Sequence, residues 1–231
     1  MHPTTSGRFR VHDRRPRPDV ADDAPDEFVL VELPSEPIDP TAPEAADVYD
    51  PLYVLADGYD ADLAVRIETL EPGVVVDATL VWDDGTARFS ELSVVRESRF
   101  RFAADVEGMF EAAVETWRDV RAAGESMGSI TTRSNDGDPN GALYLFADGP
   151  GSETFEDLRA GRVPIEPLIA RVNAERGVEP RAVFVLRPVD HEFVAVHVVF
   201  DRDGVLARTI RDTYDLESGL ASRLPSEDDA E

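Results

Sequence analysis

The chain has no lysine and no cysteine. Without cysteine there are no disulfides, no thiolate metal sites and no cysteine nucleophile. Without lysine there is no phosphate-binding loop of the Walker type, which needs that side chain on the phosphates. Long apolar runs are missing as well. None approaches the roughly 20 residues that span a bilayer, and the opening MHPTTSGRFRVHDRR lacks the apolar segment of a secretory signal. These absences predict a soluble, cytoplasmic protein with no membrane association.

What is present is mostly charge. Arginine supplies all 23 Lys+Arg positions, set against 48 Asp and Glu, for a net charge of -25 over 231 residues. Such a surface is tolerated in molar salt, where repulsion is screened within about 3 Å; in dilute buffer the same charges repel and loosen the fold. Arginine keeps its charge and pairs with carboxylates through two parallel hydrogen bonds, which suits it to a carboxylate-rich surface. The balance points to a halophilic archaeon, where -25 is background and says little about partners. Hydrophobic content of 42% still supports a packed core.

The pattern along the chain predicts an α+β protein: a disordered end at 1–7, a mostly antiparallel β part at 8–104, a mixed part at 105–217 and an acidic disordered tail at 218–231. In the first part, RFRVH at 8–12 and EFVLVEL at 27–33 read as strands. The segment at 34–51 carries five prolines and is long for a loop; it is a candidate link to a second subunit in a homo-oligomer. LYVLA, LAVRIETL and SRFRFA read as further strands. GVVVDATLVWDDGTARFSELSVV is a hairpin turning at Asp84-Gly85, a pair suited to positive φ, with Val74, Val76, Ala78, Leu80 and Trp82 on one face. Short strands at this spacing predict a small barrel or bent sheet, OB-like in character.

From 105 to 123 the apolar period becomes helical, and this is the one long helix expected, capped by Asp105 and stopped by Gly124. Beyond it SITTR, ALYLFA, RAVFVLRP and FVAVHVVF read as strands. Short helices follow Ser152 and occupy 164–176. VLARTIRDTY reads as a strand joined to FVAVHVVF through Asp203-Gly204.

Chemistry-bearing patterns are few. Gly124-Glu125-Ser126-Met127-Gly128 matches the serine-hydrolase pattern, but a helix precedes it where that motif needs a strand. Asp148-Gly149-Pro150-Gly151-Ser152 lies before a helix, yet acidic residues crowd it and it reads as a plain β–α connection. His191, Glu192 and His197 have ligand chemistry without the helical spacing of a zinc motif. Residues 135–141 have oxygen ligands but not calcium-loop spacing. No cofactor, metal or catalytic residue is assigned. The arginines depart from the acidic background: Arg96, Arg99 and Arg101 cluster in sequence, and in RFRF the arginines share one strand face while the phenylalanines share the other. They are the candidate binding residues, for a protein partner, phosphate or single-stranded nucleic acid.

The stretches LPSEPIDPTAPEAADVYDPLYV at 33–54, NGALYLFADGPG at 140–151 and RDTYD at 211–215 resemble an uncharacterised haloarchaeal family, a domain of unknown function. The resemblance implies no activity and transfers no functional residue. The reading is a non-enzymatic binding or interaction protein. The alternatives are a nucleic-acid-associated OB-like protein, which needs Arg96, Arg99 and Arg101 exposed together, and an enzyme, which needs Ser126 or His197 in a pocket with partners.

Overall fold

The computed structural model describes residues 2–17, 26–34 and 49–216. The predicted tail at 218–231 and most of the proline-rich segment lie outside them. The first strands are β1 (Thr4–Arg15), β2 (Glu27–Glu32) and β3 (Pro51–Leu55), followed by helix α1 (Ala61–Glu68) and the long strands β4 (Val74–Asp83) and β5 (Thr86–Glu97). These five strands close into a barrel in the order β1-β2-β3-β5-β4. All its pairings are antiparallel except β3 with β5.

Alternation builds the barrel core. Phe9 and Val11, Phe28 and Leu30, and Val74, Val76, Ala78 and Leu80 point inward together, and Ile67 and Leu70 add to the same cluster from α1 and its end. The β4–β5 hairpin turns at Asp84 and Gly85, with φ of 46° and 81°, as the Asp-Gly pair requires. Thr4–Gly7, expected as a frayed end, pair with Ala78–Val81 and belong to β1.

LAVRIETL, expected as a strand, is α1. Its β-branched residues mimic alternation, but Leu63, Ile67 and Leu70 follow helical spacing and pack on the barrel core, while Val65 stays exposed.

The rest of the chain supplies β6 (Arg99–Val106), α2 (Glu111–Ala122), β7 (Met127–Arg133), β8 (Pro139–Ala147), α3 (Thr154–Arg159), α4 (Glu166–Arg176), β9 (Ala182–Pro188), β10 (Phe193–Val199) and α5 (Val205–Thr213). The strands form a second sheet in the order β6-β9-β10-β8-β7. The chain therefore leaves the barrel at Ser98, and SRFRFA, expected to extend the first β part, pairs in parallel with β9. One sheet face packs under α2 and α5 through residues such as Phe184, Phe193, Trp117 and Ile210. The other face packs under α3 and α4 through Phe100, Phe155, Ile169 and Val196. β10 is buried throughout because both faces are covered.

Two helix expectations change. The long helix begins at Glu111, since Asp105 lies in β6 with φ of 57° and cannot cap it. It is one of five described helices, and α4 is nearly as long. VLARTIRDTY is α5: Gly204 is its N-terminal flank, and Ala207 and Ile210 form its buried side. The cross-strand neighbours of His197 are Leu143 and Phe184.

The barrel docks onto the second sheet through the outward face of β1. Arg10 Nε donates to Glu166 Oε1 at 2.7 Å, and its Nη1 donates to the Gly73 carbonyl at 3.0 Å. Both side chains of the pair are almost fully buried. His12 Nε2 lies 2.7 Å from the Leu158 carbonyl, an acceptor, so the ring proton sits on Nε2. Burial holds the His12 imidazole below its ordinary pKa.

Candidate functional site

Arg99 and Arg101 alternate with Phe100 and Phe102 on β6, so the phenylalanines enter the core shared with α3 and α4. The arginines face the opposite side, toward α5. There they line a cavity of about 310 Å3 together with Glu71, Ala182, Phe184 and Arg211. The cavity sits where the barrel meets the second sheet: Glu71 comes from the loop after α1, Arg211 from α5, and Ala182 and Phe184 from β9.

The charges are partly satisfied. Arg99 Nη1 donates to Asp203 Oδ1 at 3.0 Å. Arg101 Nη2 donates to Glu71 Oε2 at 3.2 Å and its Nη1 to the Phe100 carbonyl at 2.9 Å. Its Nε–H is buried without a partner. Arg211 Nη1 donates to the Arg202 carbonyl at 3.2 Å. Arg202 in turn grips Asp203 and Glu97. The Arg202 hydrogen bond, helped by the charges of Arg99 and Arg211, holds the Asp203 carboxyl below the usual range. Both carboxylates that touch the cavity arginines are more than half exposed, so these pairs are weak and exchangeable.

Arg96 lies elsewhere. It stands on β5, paired with Val75 through the backbone and half-buried, and its side chain has no hydrogen bond or ion pair to a described residue. Burial, and then the nearby Arg10 and Arg8, lower its proton affinity. Its charged surroundings are thus the outer face of β1, whereas Arg99 and Arg101 face Arg211. The partners the sequence did not reveal are Glu71 and Arg211. Arg211 falls in line with the cavity only once α5 is a helix, and nothing local in the sequence marks Glu71 as its neighbour.

The other candidates do not assemble. His197 sits on β10 with both ring nitrogens unpartnered, and burial lowers its pKa to about 4. His191 stacks on Phe193 at 11° between planes and lines a groove of about 450 Å3 with Trp117, Arg118 and Arg121. Neither the groove nor the cavity has Ser126 or His197 in its lining. Ser126 follows α2 and precedes β7, the reverse of the hydrolase order. Residues 134–138 close a turn through Ser134 and Asp138. Among the described residues no three His, Asp or Glu side chains are grouped to hold a metal. No helix among them is long and apolar enough to cross a membrane.

The fold and site define an α+β protein in which a closed five-stranded barrel and a helix-covered mixed sheet enclose an arginine-lined cavity. The chain belongs to DUF6663, a family of unknown function, which matches residues 1–222. No curated protein and no solved structure matches it.

Proposed function

We propose that this is a non-enzymatic binding protein whose contact site is the cavity lined by Arg99, Arg101 and Arg211. The observation that carries the reading is a reversal of sign. Three guanidiniums and one carboxylate line a concave site on a chain of net charge -25. Clefts of one sign concentrate oppositely charged ligands, and junctions between structural units are common ligand sites. We treat the barrel and the helix-covered sheet as two such units joined at Ser98, in a cytoplasmic protein of haloarchaeal origin, the latter on the charge balance alone.

A nucleic-acid-associated OB-like protein is the second reading. The barrel order, the parallel β3–β5 contact and the single helix between β3 and β4 support it. Such barrels bind through the face of their second and third strands. Here Phe28, Val29, Leu30 and Val31 of β2 are fully buried, which leaves that face little room and favours the first reading.

Native mass spectrometry of protein purified without denaturation tests the proposal. A bound species of defined mass on the wild type, absent from Arg99→Ala/Arg101→Ala, is the expected result. An identical spectrum for the two proteins contradicts it.

A further inference from the structure

Resting on that reading, we propose that the cavity receives a phosphate group and that Glu71 is an internal competitor which the phosphate displaces. Three features lead there. Arg99, Arg101 and Arg211 approach from two elements, β6 and α5. A carboxylate matches one guanidinium fork, whereas a phosphate has three oxygens and up to two charges to share among three. Among the described residues, Arg99 and Arg101 each contact carboxylates through a single hydrogen bond, by Nη1 and Nη2 respectively, which leaves fork positions open. The Arg101 Nε–H is already stripped of solvent and unpaired, so a ligand oxygen that reaches it meets a donor whose desolvation cost is already met.

Glu71 has the marks of a stand-in. Its carboxylate is 56% exposed, while the Arg101 side chain it touches is 18% exposed. It lies on the loop between α1 and β4 rather than within either element. A carboxylate that reaches in from solvent to a half-buried guanidinium can swing out when a more highly charged oxyanion arrives. Ala182 and Phe184, both almost fully buried, close the base of the cavity with apolar atoms.

Calorimetry on the full-length chain tests this with ribose 5-phosphate, inorganic phosphate, ribose, succinate and a single-stranded oligonucleotide as probes. The expected result is one saturable site for the phosphates and none for ribose or succinate. Tighter binding of the ester identifies a phosphorylated metabolite as the source; equal binding identifies the free ion. Arg211→Gln and Arg101→Gln weaken the site by at least about tenfold. Glu71→Gln tightens it by about threefold to fivefold, the range of an exposed ion pair, and a merely structural Glu71 gives no such gain. Circular dichroism separates loss of binding from loss of fold, and Arg211→Gln covers the case in which Arg101→Gln unfolds. Succinate binding as tightly as the phosphates, or unchanged affinity in Glu71→Gln, overturns the proposal. Oligonucleotide binding that Arg211→Gln abolishes, with both phosphates silent, overturns it but keeps the binding reading. Silence from every probe, with no bound species by mass spectrometry, removes both.

Discussion

His197 carries an imidazole into the middle of the second sheet without a hydrogen bond to either nitrogen. Desolvation alone lowers its pKa to about 4, against about 6.5 in an unfolded chain. Between those values the unfolded state binds the proton and the folded state does not, so stability is complete above the unfolded pKa and falls as pH drops toward 4. The loss attributable to His197 is on the order of 3 kcal/mol across that window. Denaturant unfolding of the wild type and His197→Leu at pH 7 and pH 4.5 checks it: the variant is expected to lose less stability between the two. Equal losses contradict the assignment. The Arg10–Glu166 pair is buried on both sides, and removing one partner strands the other. Glu166→Ala is expected to cost about 3–5 kcal/mol, while the double change Arg10→Met/Glu166→Leu costs less than the single one. A double-mutant cycle by urea unfolding measures this.

At the scale of elements, the joint between barrel and sheet depends on Gly73. Its φ is 101°, and a Cβ there would lie 2.5 Å from the Phe100 nitrogen and 2.6 Å from the Arg99 backbone. Its N–H donates to the Val11 carbonyl, and the Phe100 N–H donates to the Pro72 carbonyl beside it. Gly73→Ala therefore combines a disfavoured backbone conformation with a main-chain clash that no rotamer relieves. A loss of at least about 2 kcal/mol is expected in thermal unfolding, against a near-neutral Gly85→Ala only as far as space is concerned, since Gly85 meets nothing within 4 Å but shares a positive φ. In the sequence the β4–β5 hairpin is readable because alternation and an Asp-Gly turn agree. The strands β8 to β10 are readable as apolar runs, and β7 through the β-branched residues of SITTR. Helices α1 and α5 are not, because Val65 and Ile67, or Val205, Thr209 and Ile210, carry strand-type side chains into helices whose packing is decided elsewhere in the fold. The parallel placement of β6 beside β9 joins residues about 80 positions apart in the chain, and no local pattern announces it. The site followed the same rule: Arg99 and Arg101 stood out by composition, whereas Glu71 and Arg211 became neighbours only through that pairing and α5.

For the molecule as a whole, the charge of -25 is the dominant long-range term. Screening shortens its reach from about 30 Å at 0.01 M salt to about 3 Å at 1 M. The midpoint of thermal unfolding, followed by circular dichroism, is expected to rise between dilute buffer and molar potassium chloride; an equal midpoint in both contradicts an adaptation to salt. Against that background the cavity beneath α5 is a concave place where three cationic groups converge without being fully neutralised. The most direct measurement is nuclear magnetic resonance of the arginine Nε–Hε groups during titration with ribose 5-phosphate. Arg99, Arg101 and Arg211 are expected to shift together along one saturable curve, while Arg8, paired with Asp77 on the outside of the barrel, stays still. Shifts spread evenly over the arginines without saturation would contradict it.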